Sequence, residues 1–297
     1  MNRTPPKAVR QELRREVGFG CPIPGCGNPY LTWHHFNPPW HEKEHHNPEG
    51  MIALCLEHHK KADYGAFNVD QLLELKKSKA EEVSGRFDWM RSNVLGVVGS
   101  CFYYETHVLV AMDDQPLVWW SRDDRGSFLL NITFPTISGE ERLRVEDNFF
   151  LGIGEPDDLE CPPSGKKLSV VYRNGDSLDI SFKELSSYND IAQAYTVEPP
   201  KDIMAEMASR LPDGFSEKML ELMSHPSCPV PNDLIEKYPV TAVEISMKVG
   251  GTGIEFGPKW TKLPNQNQAK GCLVVRSPVG LNFGSQGGMS FGGKLAK

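Results

Sequence analysis

The chain contains 297 residues, of which 39% are apolar and 24% charged, a composition typical of a globular protein rather than a disordered or fibrous one. No apolar run approaches the ~18 residues that a membrane span needs, and residues 1–17 lack the apolar segment of a secretory signal, so we expect a cytoplasmic protein with no membrane partner. The net charge of −7 excludes a broadly basic surface but leaves room for a local nucleic-acid site.

Charge and histidine are unevenly distributed along the chain. Residues 1–91 hold 13 Lys and Arg against 12 Asp and Glu, whereas the other 206 residues hold 19 against 27. Seven of the nine histidines lie in residues 34–59, and three of the seven cysteines flank or enter this window. Clustering of this kind is typical of metal binding. We therefore predict two domains, residues 1–92 with metal chemistry and residues 93–297 with a separate role.

The front domain begins with a predicted helix over residues 7–17, which follows two prolines. It presents Arg10 and Arg14 one turn apart, and Lys60 and Lys61 offer a second pair of positive charges. These four side chains suit contacts with DNA phosphates, or they form ordinary solvated helix faces.

Two short-spaced pairs of metal ligands come next. Cys21 and Cys26 enclose four residues that include two prolines and a glycine, and Cys55 and His58 follow after 28 intervening residues. Two such pairs fit a closed tetrahedral site for a structural Zn²⁺ ion. The alternatives are that the cysteines are small buried apolar residues, or that His59 replaces His58 as the fourth ligand.

Two further helices are predicted after the histidine-rich window. One runs from Cys55 to Ala62 and stops at Gly65. The other is capped by Asn68, and its apolar residues recur at helical spacing as far as Met90. The remaining histidines of the window are expected to be solvated loop residues, namely His41, His45 and His46.

After about residue 93 the pattern changes from helical to alternating, which predicts strands. These are expected at residues 108–112, 128–134, 168–172, 178–182, 241–248 and 272–276. Two short helices are expected near residues 201–210 and 216–224, and the glycine-rich end is expected to be flexible. The predicted fold class is α+β, a zinc-stapled finger with flanking helices followed by a mainly β domain.

The histidines next to the two ligand pairs are the basis of a resemblance. Leu31-Thr-Trp-His-His35 precedes the second pair, and Ile52-Ala-Leu-Cys55 leads into His58-His59. In these residues, and over about residues 7–85, the chain resembles the HNH nuclease family, whose fold is a ββα-metal finger.

The resemblance implies a role for each of these histidines. His34 and His59 would hold one catalytic Mg²⁺ or Mn²⁺ ion, and His35 would be the general base that activates water. The loop asparagine of the family falls at Gly50 in this sequence, and Asn47 is the candidate for its role.

The order of the parts implies a setting. A nuclease-like module followed by a β-rich region is similar to bacterial defence effectors that fuse an HNH nuclease to a sensor. We expect a metal-dependent endonuclease that cuts DNA in restriction or antiviral defence. Residues 93–297 would gate it through an activating ligand, a protein or homo-oligomer formation. The alternative is a non-catalytic zinc finger that binds DNA or a protein.

Overall fold

The computed structural model describes residues 2–89 and 91–196 and, in the remaining part, residues 228, 230, 232, 238–250, 253–258, 260–262, 269–270, 273–275, 279–284 and 288–293. Over these residues the protein is mixed α+β and mostly sheet, which confirms the predicted class at this level. The helices in the described part are α1 (Lys7–Glu16), α2 (Leu56–Asp63), α3 (Val69–Lys77) and α4 (Tyr188–Tyr195). None of them is long and apolar enough to cross a membrane.

The strands are short and follow one another through most of the described chain. They are β1 (Leu31–His35), β2 (Met51–Cys55), β3 (Gly85–Arg86), β4 (Val94–Val98), β5 (Cys101–Tyr103), β6 (Val108–Met112), β7 (Gln115–Arg122), β8 (Phe128–Pro135), β9 (Glu141–Glu146), β10 (Phe149–Leu151), β11 (Asp158–Glu160), β12 (Lys167–Val171), β13 (Ser177–Leu185), β14 (Val240–Lys248), β15 (Glu255–Gly257), β16 (Trp260–Lys262), β17 (Ala269–Lys270), β18 (Leu273–Val275), β19 (Val279–Gly284) and β20 (Gly288–Gly293).

The chain divides into two compact units, and each is built from two segments. The first unit contains Met1–Trp89 and Leu130–Ser181, and the second contains Met90–Leu129 and Phe182–Lys297. The front third thus packs with a later segment that sequence analysis assigned to the other domain. Packing between distant segments leaves no periodic signal in either of them. The functional boundary at residue 92 stays a prediction.

The front of the first unit is a two-stranded hairpin followed directly by a helix. Strands β1 and β2 pair antiparallel, from Leu31 opposite Cys55 to His35 opposite Met51. Every residue of β2 is buried, and α2 begins at the residue after that strand. The surrounding apolar core draws on α1, both strands, α2 and α3. This core fixes the ends of β1 and the start of α2 relative to each other.

The helices predicted in residues 7–68 begin and end within one residue of the predicted bounds, except at the end of α3. Asn68 and Gln71 form the expected capping box at its start. The helix ends at Lys77 rather than near Met90, and Gly85 lies in β3 instead. A Cβ at Gly85 would approach the Phe150 ring to 2.2 Å, so the glycine permits this close packing. Phe87, one of the later apolar residues of the predicted stripe, packs against the same ring, with centroids 5.3 Å apart.

The second segment of the first unit is antiparallel sheet. Strand β9 pairs with β8 and β10, and β10 pairs with β3. Strand β12 pairs with β11 and with the first residues of β13. The strands predicted over residues 128–134, 168–172 and 178–182 are confirmed.

The second unit combines parallel and antiparallel pairs. Strand β4 runs parallel to β14 and antiparallel to β5, and β6 pairs with β7 and β19. The strands predicted at residues 108–112 and 241–248 are confirmed, and residues 273–275 form β18. The helices predicted near residues 201–210 and 216–224 lie outside the described residues.

The glycine-rich end requires a correction. Gly288–Gly293 is not a flexible segment but strand β20, which pairs antiparallel with β19. Sheet pairing uses backbone N–H and C=O groups, which glycine supplies as other residues do. The abundance of glycine alone therefore gave the wrong prediction.

Candidate functional site

The two predicted ligand pairs converge on one point. The ligand atoms of Cys21, Cys26, Cys55 and His58 all lie within 4.8 Å of one another. Gly25, in the turn between the first two cysteines, has a positive φ of 73°, a conformation that favours glycine. Cys55 is the last residue of β2, and His58 lies one turn into α2.

The separations match the edges of a tetrahedron around zinc. With Zn–S bonds of ~2.3 Å, two thiolates in such a site lie about 3.8 Å apart. The Cys26 and Cys55 Sγ atoms are 3.9 Å apart, and His58 Nδ1 lies 3.4 Å from Cys21 Sγ and 3.2 Å from Cys55 Sγ. The cluster can therefore hold a metal such as zinc, with His58 rather than His59 as its fourth member.

The acid–base behaviour of the thiols agrees with a cation site. A hydrogen bond from Cys21 lowers the pKa of the Cys55 thiol to about 5, and His58 acts in the same direction. The same hydrogen bond, together with burial, raises the pKa of Cys21. Two thiolates this close repel each other, and a bound Zn²⁺ ion removes that repulsion.

A second group of ligands lies on the other side of the same strand–helix junction. His34 Nδ1 and His59 Nε2 lie 3.2 Å and 3.6 Å from the same oxygen of Asp63. Both nitrogens are buried, and neither has a hydrogen-bond partner among the described residues. Burial lowers the pKa of both imidazoles, which favours their neutral, ligating form. This trio can hold a metal ion.

Asp63 had no predicted role in the sequence analysis. It lies four residues after His59, and residues at this spacing share one helix face. That spacing is the signal that would have identified it. His34 and His59 were predicted to act together, and the structure places their ring centroids 5.1 Å apart.

Thr32 orients the His59 ring, and sequence analysis missed it. Its hydroxyl lies 2.9 Å from the Leu54 carbonyl oxygen and 2.7 Å from His59 Nδ1. A carbonyl can only accept, so both contacts are hydrogen bonds when the hydroxyl donates to Leu54 and Nδ1–H of His59 donates to the hydroxyl. The lone pair of His59 is then on Nε2, the atom that faces Asp63.

Replacing Thr32 by valine should therefore weaken binding of a divalent ion at the trio. A side chain that hydrogen-bonds to a ligating histidine in this way contributes roughly 10–100-fold in metal affinity. A titration of the zinc-loaded protein with Mn²⁺, monitored by electron paramagnetic resonance, measures the change in metal affinity. Thr32→Ser keeps the hydroxyl and should bind like the wild type. Equal affinity in the wild type and the valine variant would contradict the assigned role.

His35 lies beside the trio in a different environment. It is 4% exposed, and neither ring nitrogen has a hydrogen-bond partner among the described residues. Its ring packs against Trp40, His45 and His46, with centroids 4.7, 5.3 and 5.9 Å away. Burial lowers the pKa of His35 to about 4, and the two neighbouring histidines add to this effect. His35 is therefore neutral near pH 7.

The surroundings of His35 correct one expectation. His45 and His46 are half-buried rather than solvated. His45 Nε2 donates to the Pro38 carbonyl at 2.8 Å, and His46 Nε2 donates to the Asn2 carbonyl at 2.9 Å. His41 is exposed, as expected, with 81% of its side chain accessible.

A cavity of about 540 Å³ opens beside these side chains. His34, His35 and Asp63 line it, together with Trp40 and Arg3. The candidate base and two members of the trio thus face one space. This space is large enough for a ligand rather than a single water molecule.

Asn47 lies outside the lining of that cavity and caps the turn that leads into β2. Its side-chain oxygen accepts from the backbone N–H of Glu49 at 3.4 Å. The loop between the strands is closed by backbone instead, because the Gly50 carbonyl accepts from the N–H groups of residues 36 and 37. A Cβ at Gly50 would lie 1.8 Å from the Asn37 carbonyl oxygen, so a side chain cannot occupy this position.

The four predicted phosphate contacts divide into two groups. Lys60 and Lys61 are exposed on α2. Arg10 lies 3.7 Å from Glu160, and Arg14 is 3% exposed. This conformation does not present Arg14 to DNA, so the role predicted for it lacks support here.

Arg14 instead forms a bidentate ion pair within the first unit. Its Nε and Nη2 donate to the two Asp158 oxygens at 2.9 and 2.7 Å, and Gln11 donates to the same carboxylate at 3.0 Å. Burial raises the pKa of Asp158, but these hydrogen bonds outweigh it and the net pKa is lowered. The pair is therefore charged at neutral pH.

Arg14→Ala should destabilise the first unit by about 3–5 kcal/mol, because it leaves Asp158 largely buried without its counter-charge. Arg15→Ala is the matched control, since Arg15 pairs with Asp157 on the surface at 3.7 Å and should contribute about 0–1 kcal/mol. Urea titrations in which zinc release reports unfolding measure the free energy of unfolding of both variants. Similar losses in the two would contradict this assignment.

No family model, curated protein or solved structure matches this chain. The geometry of the two ligand clusters in the first unit is therefore the basis for a functional proposal.

Proposed function

We propose that the protein is a metal-dependent endonuclease of the HNH type that hydrolyses phosphodiester bonds in DNA, with Zn²⁺ as its structural ion. One observation supports this most directly. The buried nitrogens His34 Nδ1 and His59 Nε2 both face one Asp63 oxygen, at 3.2 and 3.6 Å, and neither makes a well-aligned hydrogen bond to a described residue. Buried polar atoms normally find a partner, and a cation held between them supplies one.

The proposed chemistry assigns the trio and His35 different tasks. His34, His59 and Asp63 would hold Mg²⁺ or Mn²⁺, the ions that the resemblance to HNH nucleases implies, and the Asp63 carboxylate is the type of ligand that such hard cations prefer. When bound, such an ion stabilises the negative charge that develops on the phosphate and the leaving oxygen. Three side chains meet there among the described residues, so part of the ion's coordination sphere would be left to water and phosphate.

His35 acts as the general base in this proposal. Its neutral ring accepts a proton from the attacking water while a new P–O bond forms. The P–O bond to the leaving group breaks, and the leaving oxygen takes a proton from solvent. His35 is suited to this step because both of its nitrogens lack a hydrogen-bond partner among the described residues and the ring lines the cavity.

A cleavage assay tests the proposal. Zinc-loaded protein should cut plasmid DNA when Mg²⁺ or Mn²⁺ is added, and His34→Ala and His59→Ala should each remove this activity. His107→Ala is the control, because His107 is an exposed histidine of the second unit. Protein that retards DNA in a gel without shortening it would instead be a binding module.

The biological setting is also a proposal. We infer a cytoplasmic enzyme of restriction or antiviral defence, with residues 93–297 controlling its activity. Leu130–Ser181 belongs to the same compact unit as Met1–Trp89, so the experiment should use the full chain. Its cleavage rate should rise on addition of extract from phage-infected cells and not from uninfected cells. Equal rates would contradict control by an infection signal.

A further inference from the structure

One positive charge at the cavity has no role in the chemistry above. Arg3 is the only lysine or arginine among the described residues that line the cavity with His34, His35 and Asp63. Its side chain is exposed, so a ligand entering from solvent can reach it. In the described part of the chain Arg3 forms no ion pair.

The segment that carries Arg3 is held in place on both sides. His46 Nε2 donates to the Asn2 carbonyl at 2.9 Å, and the Thr4 N–H donates to the Asn2 side chain at 3.1 Å. Pro5 is buried, and α1 starts two residues later. Because His46 also packs against His35, the same contacts connect this segment to the wall of the cavity.

The arginines of α1 provide a comparison within the same unit. Arg10, Arg14 and Arg15 each lie within 4 Å of a carboxylate oxygen from residues 157–160. Each of these arginines is paired with a carboxylate of the same unit, whereas Arg3 has no such pair among the described residues.

We propose that Arg3 binds the phosphodiester group that the enzyme cleaves, which rests on the nuclease function proposed above. A guanidinium can donate two parallel N–H bonds to the two non-bridging oxygens of one phosphate. This contact holds the phosphate against the site and offsets the negative charge that grows on those oxygens during attack. The ligand class is therefore an internal phosphodiester of a nucleic acid.

The test compares steady-state cleavage of a fluorescent DNA duplex by four full-length proteins. Arg3→Ala should lower kcat/KM by about 10²-fold, as expected for loss of a group that stabilises developing charge. Arg3→Lys should be intermediate, because lysine keeps the charge but loses the bidentate geometry. Lys7→Ala removes an equal charge from an exposed position outside the cavity and should cut like the wild type.

Three further measurements distinguish a loss of phosphate binding from a loss of folding, and cleavage by the wild type tests the nuclease proposal itself. Zinc content, Mn²⁺ affinity and thermal unfolding should be the same in Arg3→Ala as in the wild type. Wild-type protein that does not cut under any metal condition would overturn the nuclease function. Wild-type protein that cuts, with Arg3→Ala and Lys7→Ala equally active, would overturn the role of Arg3 alone.

Discussion

His35→Ala is expected to slow DNA cleavage by about 10²–10⁴-fold, the usual contribution of a general base. The physical reason is the position of His35, which lines the cavity beside the metal trio and has no competing hydrogen bond on either nitrogen among the described residues. Single-turnover cleavage of a DNA duplex at saturating Mg²⁺ measures the chemical step directly.

Four controls make this result specific. Zinc content and DNA affinity should be nearly unchanged in His35→Ala, and added imidazole should restore part of the rate by entering the vacated space. His107→Ala should cut like the wild type. Parallel loss of zinc and activity in His35→Ala would show that His35 is structural and would leave His34 as the better candidate for the base.

Cys21→Ser and Cys55→Ser should each release one equivalent of zinc and unfold the front of the first unit. Zinc binding of this kind supplies about 10–16 kcal/mol in small zinc domains, which is comparable with the whole stability of an ordinary domain, about 5–15 kcal/mol. Elemental analysis of the purified protein and circular dichroism of the variants measure the two effects.

Cys228→Ser is the matched control for these variants. Cys228 lies in the second unit, and its thiol contacts the Val230 carbonyl rather than another ligand. This variant should keep its zinc. A wild-type protein purified without chelator that contains no zinc would contradict the assignment of the cysteine cluster.

Much of the structure of residues 2–77 was predictable because the sequence patterns that determine it are local. The capping box at Asn68 and the spacing of the ligand pairs are short-range patterns, and the structure has both. Asp63 was within reach of the same reasoning, since it lies one helical turn after His59.

Other parts of the site depend on contacts between distant residues. The Arg14–Asp158 pair joins positions 144 residues apart, and the sequence around each residue gives no indication of its partner. Arg3 lies at the cavity through a hydrogen bond between Asn2 and His46. The backbone hydrogen bonds at Gly50 could not be predicted from the sequence either. They constrain the residue type only by requiring glycine at this position.

The adjacency of His58 and His59 on α2 has a practical consequence for chelators. One residue belongs to the cysteine cluster and the next to the trio, so in the proposed nuclease loss of the zinc ion would disturb the backbone that positions the second ion. Inhibition of such an enzyme by a strong chelator would therefore not identify which ion was lost. Brief treatment that strips only the weaker site should be reversed by Mg²⁺ alone, whereas prolonged treatment should require Zn²⁺ first and Mg²⁺ afterwards.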